Sequence, residues 1–415
     1  MAGLNRKVLV LALARSVDSM ANSFVIVVLP VYIASDQVTG STLGLAVPLV
    51  TGILLSAFGI VDSLAQPFTG YLSDKYESRK LFILIGLGML TIVNFTYIFS
   101  GSYLSLLGIR LAEGIAAALA IPATIALVNE LANEDSRGGN MGMFNTFRLV
   151  GFGAGPMFAG IVIDSGPYVL AGTQINGFDM AFLLSTLAAA IGFFLVEFFV
   201  HDPERLTEKA GTSLTVPVRS TKPGKYLHPI FVLGLVTFVT MMGVSIFSAI
   251  ENHVNLRLGQ SDINFLFGAE FAAFIFAQII FQIPVGKAAD RYGRRPFLVG
   301  GLMAIAPITL LQGFATIPLE MFVLRFLQGV AGAAVLAPAL TIAGDVAEPG
   351  NQGSMFAVVT MSFGLGTAMG PLISGYLIRF GFVVPFAFSA VSVALISVLA
   401  YTQIPETLKP ASTGS

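Results

Sequence analysis

Eight charged side chains lie inside long apolar stretches of this sequence, where an unpaired charge is costly. They are Arg15, Asp18, Asp62, Arg110, Glu113, Arg148, Glu270 and Arg325. Charged groups at membrane depth usually face an internal cavity and serve transport or proton transfer. Burial favours the neutral form of a carboxyl group, whereas a nearby arginine favours its carboxylate. A carboxyl group under both influences can take up and release a proton, which is the chemistry that the pattern indicates.

Two carboxyl groups near the membrane midplane are the main candidates for a proton carrier. Asp18 lies about 15 Å into its predicted helix at about 1.5 Å per residue, and Glu113 lies similarly deep in another. Arg15 and Arg110 each precede one of these acids by three residues, so each pair shares one helical face. We interpret Asp18, Glu113 and Arg110 as one proton-coupling cluster, with Asp62 as a second relay. The alternative is that both pairs are static and only neutralise buried charge.

The second half of the sequence presents phenylalanine where the first half presents acids. Phe267, Phe271 and Phe274 recur at helical spacing beside Glu270. We predict a substrate cavity with an aromatic wall here, and the alternative is a stripe that only packs against lipid or a neighbouring helix. The predicted cavity residues are Arg15, Glu270, Phe271, Phe274, Gln278, Arg325 and Gln328. Glu251, at the predicted outer end of the seventh helix, is expected to be solvated.

Twelve apolar segments are long enough to hold these groups in a membrane, since a spanning helix needs about 20 mostly apolar residues. They are 8–34, 43–70, 80–100, 103–129, 140–163, 179–200, 229–252, 262–286, 296–316, 319–343, 353–378 and 383–404. Hydrophobic residues make up 55% of the chain and charged residues 11%. Soluble domains carry about a quarter of charged residues, so the sequence predicts an all-α integral membrane protein.

A duplication divides these segments into two groups of six. Residues 70–76 recur about half a chain later as residues 286–292, and the pair 155–156 recurs as 370–371 at nearly the same interval. Repetition at a fixed interval indicates a duplicated structural unit, and duplicated membrane bundles are typical of transporters. The predicted organisation is a six-helix bundle over 1–200, a linker over 201–228, a second six-helix bundle over 229–408 and a tail over 409–415.

The repeated loop carries the pattern G-x-x-x-D-[RK]-x-G-[RK]-[RK] between the second and third helices of each half. Residues 286–296 match it fully, whereas residues 70–80 depart from it at Glu77 and Ser78. Twelve helices in two halves with this loop resemble the major facilitator superfamily, in which the aspartate is taken to bridge the second and eleventh helices and lock the outward-facing state. The resemblance implies a gating motif of Gly70, Asp74, Lys75, Arg79, Gly286, Asp290, Arg291 and Arg295. The alternative is a loop that only sets membrane topology.

Two further elements resemble those of the same superfamily. Residues 110–118 are similar to R-x-x-Q-G-x-G-A-A, with Glu113 in place of Gln, and the arginine of this element is associated with proton transfer in the family. Gly151, Gly155 and Pro156 fall in a segment similar to G-x-x-x-G-P-x-x-G-G, an element associated with proton-linked exporters. The resemblance implies a hinge at these three residues of the fifth helix. The alternative is plain close packing of small residues.

Lysine and arginine are concentrated on one side of the predicted membrane. That side holds both termini and the linker, whereas the loops on the other side hold only Arg257 and Arg379. Basic loops remain in the cytoplasm. We therefore expect a multi-pass protein of the cell membrane with both termini and the linker in the cytoplasm.

Composition argues against several other kinds of function. The chain has no Cys and only three widely separated His, so no metal site is predicted. A net charge of −1 argues against nucleic acid as a partner. The sequence contains no G-x-x-x-x-G-K-[ST] loop, so ATP is not the direct energy source. We expect neither enzymatic activity nor a cofactor.

Together these features predict a monomeric secondary transporter that works by alternating access. Its predicted partners are protons, the lipid bilayer and a small-molecule substrate. The resemblance favours a proton-coupled exporter of lipophilic or amphipathic molecules, of the drug–proton antiporter kind. One alternative is transport of a defined metabolite, either a sugar or an organic anion bound by Arg110 and Arg325. Transport of a lipid is the other.

The predicted orientation is testable because the chain has no native cysteine. Single cysteines placed in residues 201–228 should react with a membrane-impermeant maleimide only after the cells are opened, because the basic linker is expected in the cytoplasm. Cysteines beside Arg257 or Arg379 should react in intact cells. Labelling of the linker from outside would contradict the orientation.

Overall fold

A computed structural model describes residues 6–35, 37–42, 44–131, 137–170, 172–202, 218–220, 225–260, 263–346 and 352–408. Within these residues, twelve spans are long and apolar enough to cross a membrane. The predicted number of spans and the all-helical class are therefore confirmed. A short antiparallel hairpin between the fifth and sixth spans, β1 (Tyr168–Leu170) and β2 (Thr173–Ile175), lies outside the sequence prediction.

The first half contains six membrane-spanning helices. They are α1 (Arg6–Ala34), α2 (Val47–Lys75), α3 (Arg79–Thr96), α4 (Tyr103–Leu131), α5 (Arg137–Asp164) and α6 (Gly177–Phe199). The second half contains α7 (Pro229–Ser245), α8 (Glu251–Leu258), α9 (Asn264–Tyr292), α10 (Arg294–Gln312), α11 (Pro318–Val346), α12 (Gln352–Leu377) and α13 (Val383–Gln403). We call the end of the bundle where α6 finishes and α7 begins the linker end, and the opposite end the far end.

The seventh span is not one continuous helix. A 3-10 segment, Ile246–Ile250, separates α7 from α8, and the span continues to Leu258. Ser245 and Ser248 donate hydroxyl hydrogen bonds to backbone carbonyls three residues earlier, a local arrangement that bends helices. The expectation of a solvated Glu251 is wrong, because the span continues beyond it and leaves its side chain fully buried.

The two halves touch each other through backbone-to-backbone contacts at the far end. Glycines make these contacts possible, since a side chain at Gly268 would overlap the backbone of Pro156 and one at Gly160 would overlap Phe265. Gly52 of α2 faces the backbone of Pro371 of α12 in the same way. Small residues allow such close helix approach in membranes.

Hydrogen bonds join the halves towards the far end. Ser56 donates to the carbonyl of Ala368 at 2.5 Å, and Asp164 bonds to the start of α9. At the linker end, the ion pairs of Arg79, Lys80 and Arg294 each stay within one half. The structure is therefore a conformation in which the far end is closed.

Asp164 caps a helix of the opposite half. Its carboxylate accepts hydrogen bonds from the backbone N–H of Asn264 at 3.1 Å, from the Asn264 side chain at 2.8 Å and from the N–H of Phe265 at 2.9 Å. The residue before α9, Ile263, offers no side-chain cap of its own. An acid at a helix N-terminus satisfies free N–H groups and complements the helix dipole. This cap exists only while the far end is closed.

Replacement of Asp164 by Ala should favour opening of the far end. Loss of an N-cap costs about 0.5–2 kcal/mol, so the ratio of closed to open molecules should fall by about two- to thirtyfold. Spin labels on cysteines at the exposed positions Val169 and Leu319, one in each half, would report the distance distribution. The matched control is Asp179→Ala, which removes a far-end acid that bonds Asn176 within its own half. Equal distributions for the two variants would contradict the role of the cap.

Candidate functional site

Asp18 and Glu113 line the same narrow cavity in the first half. The cavity is also lined by Arg15, Asn22, Phe58, Leu90, Asn94, Ala117 and Ile121. The helices α1 and α4 contribute the two acids, and both side chains are buried. The structure thus brings together the two carboxyl groups that the sequence singled out, on two walls of one cavity.

Each of these acids is paired with the arginine three residues before it. Arg15 donates to Asp18. Arg110 donates to Glu113 at 2.6 Å and, through Nε, to the backbone carbonyl of Leu54 on α2 at 3.2 Å. The one cluster predicted from the sequence is therefore two ion pairs that share a cavity. This geometry is compatible with both a proton carrier and a static pair.

Tyr97 is a member of the site that sequence reasoning missed. It lies in a 3-10 turn after α3, and its hydroxyl donates a 2.9 Å hydrogen bond to Glu113. Its ring stacks on Phe182 with centroids 4.7 Å apart. No motif marks this residue, because only the packing of α3 against α4 brings it to the acid.

Asp62 lies buried on α2, within electrostatic reach of Arg15 and Asp18. Gln66 donates to one of its oxygens at 3.0 Å, and the other oxygen has no partner among the described residues. Arg148 of α5 also lies near Arg15, and Asn145 accepts both of its hydrogen bonds at 3.1 and 3.0 Å. Asp62 and Arg148 thus extend the charged region around Arg15.

Arg325 repeats the geometry of Arg110 in the second half. It donates to Gln328 at 2.8 Å and to the carbonyl of Val244 at 3.2 Å. Where Arg110 lies over Phe58 at 4.6 Å, Arg325 lies over Phe247 at 4.4 Å. The residue three positions after the arginine is an acid in the first half and a neutral amide in the second half. Only the first-half member of this repeated pair can therefore change charge.

The predicted aromatic wall packs on Arg325 in this conformation. Phe274 and Phe271 lie 5.4 and 5.7 Å from the guanidinium, both rings are buried, and Phe271 also contacts Phe152 of the first half at 5.8 Å. Cation–π contacts of this kind stabilise a buried guanidinium. Gln278 is buried on the same helix. Exposure of this wall to a substrate remains a prediction.

The two repeated loops hold matching charged triads. In the first, Arg79 binds Asp74 and, at 3.1 Å, Glu130 of α4. In the second, Arg294 binds Asp290 at 2.8 Å and also Asp345 of α11. The triad residues Glu130, Arg294 and Asp345 are absent from the predicted gating motif. The repetition of an acid at the ends of α4 and α11 is the sequence signal that could have identified Glu130 and Asp345.

The remaining loop residues have separate contacts. Lys75 and Arg291 are exposed, with Arg291 over the ring of Tyr292 at 5.3 Å, while Gly70 and Gly286 face Pro122 and Ala337. Glu77 adopts a left-handed φ of 49° where the second loop has Gly293 at 116°. A positive φ is therefore kept at this position of the first loop despite the departure from the family pattern, although the two φ angles differ.

Glu406, after the last span, caps α10 at the second loop. Its carboxylate accepts hydrogen bonds from the backbone N–H groups of Arg294 and Arg295 at 3.2 and 3.1 Å. Burial alone raises the pKa of Glu406, but the N–H groups of these residues and of Thr407 and Leu408 outweigh it and hold the pKa below its ordinary value. Arg295 thus contributes to the loop mainly through its backbone and through a bond to the Tyr401 carbonyl.

The predicted hinge residues lie at close helix contacts. Gly151 faces the backbone of Ser16 and Gly155 faces that of Met20, both on α1. The carbonyl of Pro156 meets Gly268 of α9. The helix α5 runs without a break through all three positions. Close packing is thus observed, and bending at these residues remains a prediction.

Removal of Arg79 should destabilise the first half. Arg79→Met leaves Glu130 buried without its cation, and a broken buried ion pair costs about 3–5 kcal/mol. Thermal unfolding of the purified protein in detergent would measure the loss. The matched control is Arg291→Met in the second loop, where the arginine is exposed and the expected change is within about 0.5 kcal/mol. The double variant Arg79→Met with Glu130→Gln should recover part of the lost stability. If it recovers none, the pairing of Arg79 with Glu130 would be contradicted.

Comparisons with known proteins give a consistent result. The model of the Major Facilitator Superfamily matches residues 11–269 and 233–415. The chain is 23% identical to the quinolone resistance protein NorA of Staphylococcus aureus over 95% of this chain and 96% of NorA. It is 24% identical to a multi-drug resistance efflux pump PmrA homolog of Lactococcus lactis over 86% of this chain and 85% of that protein. An uncharacterized MFS-type transporter of Bacillus subtilis, YuxJ, is 26% identical over 78% of this chain and 80% of its own length.

Two solved structures share the fold at low sequence identity. The inward open conformation of the xylose transporter XylE from E. coli has a TM-score of 0.72 at 14% identity, covering 96% of this chain and 97% of that one. An inward-facing bacterial homolog of the human lysosomal transporter Spinster has a TM-score of 0.72 at 13% identity, covering 95% of both chains.

Proposed function

The chain belongs to the Major Facilitator Superfamily and is a multi-pass membrane transporter, and we propose that it exports lipophilic or amphipathic small molecules in exchange for protons. The observation that carries the proposal is the pair of acids, Asp18 and Glu113, on two walls of one buried cavity. The substrate class is supported by the relatives named as quinolone and multidrug resistance proteins.

Glu113 can link protonation to helix contacts. A proton on Glu113 removes the negative partner of Arg110, so the guanidinium is left with only neutral acceptors among the described contacts, one of them the Leu54 carbonyl. An uncompensated buried guanidinium is costly, so it must find another partner. Because Leu54 lies on α2 and Glu113 on α4, the proton changes the contact between these two helices.

In alternating access, the far end would open as the linker end closes. In the present conformation, Gly160, Gly268 and the Asp164 cap hold the far end together. Closure of the linker end would bring the two charged triads towards the opposite half. The bridge from Asp74 to α12 belongs to that second conformation and remains a prediction, as Asp74 here bonds Arg79 within its own half.

We place the transporter in the cell membrane with both termini and the linker in the cytoplasm. The described basic residues of the two loops, among them Arg79, Lys80, Arg294 and Arg295, lie at the linker end. Retention of basic loops in the cytoplasm supports this orientation. The conformation described above would then face the cytoplasm.

Transport of an organic anion is the second candidate, and one observation favours it. Arg148 is held by the neutral Asn145 and lies near Arg15, so the charged region of the first half contains a guanidinium without an acidic partner among the described contacts. An anion would balance that charge. A hydrophobic carboxylate should then compete with a transported probe in the wild type. Loss of this competition in Arg148→Gln would favour this candidate over export of lipophilic cations.

Neutral replacement of the two acids should uncouple transport from the proton gradient. In proteoliposomes with an imposed pH gradient, the wild type should accumulate ethidium or norfloxacin, and Asp18→Asn and Glu113→Gln should bind these probes but not accumulate them. Glu197→Gln, a change at an exposed acid near the linker end that pairs with Lys80, should retain accumulation.

Melting temperature separates this role from a static one. If the acids only neutralise Arg15 and Arg110, their replacement leaves a buried arginine at a cost of about 3–5 kcal/mol, and unfolding should move to lower temperature along with any loss of transport. Probe-induced proton release that persists in the double variant Asp18→Asn with Glu113→Gln would rule out these residues as carriers.

A further inference from the structure

Two acids of the second half are buried without an ion pair among the described residues. Glu251 begins α8 at the break in the seventh span, and Glu270 lies on α9. The side chains are 0% and 2% exposed. Neither oxygen of Glu251 has a hydrogen-bond partner among the described residues, and the Gln260 side chain is the only polar group there that approaches Glu270 closely, outside good hydrogen-bond geometry. Asp18 and Glu113 in the first half are each bonded to an arginine, whereas Glu251 and Glu270 are not.

The two acids act on each other electrostatically. The negative charges of Glu270 on α9 and of Asp164 at the end of α5 both reach Glu251. Arg325 on α11 reaches Glu270, and Gln260 is the polar neighbour of Glu270. Burial in an apolar interior and a nearby like charge both disfavour the ionised form of a carboxyl group. With only one nearby arginine for two acids, this conformation favours a proton on the pair.

Other charged groups near the break do not remove this preference. On α8 itself, His253 and Arg257 are the charged or titratable neighbours in sequence, and both are only partly buried or exposed. The guanidinium of Arg257 lies over the ring of Phe382 at 5.7 Å. Beside Glu270, Phe267 stacks on Phe247 at 4.6 Å and makes the surroundings apolar.

The acid pair lies next to the closed contact between the halves. Ile250 and Val254, on either side of Glu251, belong to the same buried apolar cluster as Val25 and Val28 of α1. The 3-10 segment and α8 pack against α1 of the first half. Opening of the far end separates these surfaces and brings water to Glu251.

We propose that Glu251 and Glu270 form a proton-binding site of the far-end gate, which must hold a proton before the far end can close. The proton comes from the far-end side, because only opening at that end exposes Glu251. Closure then buries the protonated pair, so acid on that side favours the closed conformation. The site is separate from the Asp18 and Glu113 cavity and concerns the gate rather than the substrate.

The proposal predicts a pH-dependent conformation in the absence of substrate. With spin labels at positions 169 and 319 in lipid nanodiscs, the ratio of closed to open far ends should rise with falling pH, by at most about tenfold per pH unit for one proton. Glu251→Gln, which mimics the protonated acid, should keep the far end closed across the pH range. Glu270→Gln should also flatten the dependence, which gives a second test if the first variant folds poorly.

Controls identify the group that titrates. Asp179→Asn at the far end and His253→Gln on α8 should retain the wild-type pH dependence. The dependence should also persist in Asp18→Asn with Glu113→Gln, so that failure of the proposed transport mechanism and failure of this gate can be told apart. Retention of the pH dependence in the double variant Glu251→Gln with Glu270→Gln would overturn the proposal. Closure that follows Na⁺ concentration instead of pH would also overturn it.

Discussion

The cost of burying charge in an apolar bundle is the constraint on which the rest of this structure depends. A buried charge must be paired, stabilised by contact with aromatic ring faces or neutralised by a change in protonation. The protein uses the first solution at Arg110 with Glu113 and the second at Arg325 with its phenylalanines. Glu251 and Glu270 form no ion pair among the described residues, with Arg325 only within electrostatic reach of Glu270, and the proton site that we propose there is the third solution.

Duplication makes these solutions comparable, because Arg110 and Arg325 are repeated residues that make the same kinds of contact, although their carbonyl partners lie on the second span of one half and the first span of the other. Arg110 and Arg325 each bond a residue three positions later and a backbone carbonyl of a neighbouring helix. The halves differ in whether that later residue is Glu113 or Gln328. A carboxyl group can change its charge at ordinary pH and an amide cannot. One substitution between repeats therefore assigns the titrating role of this position to the first half.

Closure of the far end combines close backbone contacts with a buried apolar cluster to which both halves contribute. Glycines on α2, α5, α9 and α12 allow these helices to meet at their backbones, and in lipid such packing is a main source of helix association. Contacts of this kind are separated by small rigid movements of the halves. Polar groups placed at this surface, such as Asp164, therefore act on the balance between conformations.

Local sequence patterns determined the number of spans and the two arginine–acid pairs of the site. Apolar segment lengths predicted twelve spans, and spacing of three residues predicted the pairs Arg15 with Asp18 and Arg110 with Glu113, because helix geometry alone places such residues together. The repeated loop motif contains Asp74, Arg79 and Asp290, each of which forms an ion pair within its own half, and its gating role remains a prediction. These features depend on interactions within one helix or on direct repetition.

Tertiary packing decided the rest. Tyr97 reaches Glu113 only because α3 packs against α4, and Glu130 and Asp345 join the loops only because distant helix ends meet there. The burial of Glu251 could not be read from its position near the end of an apolar segment. Hydropathy measures the composition of one helix, whereas burial depends on which other helices cover that position, and only the folded chain contains this information.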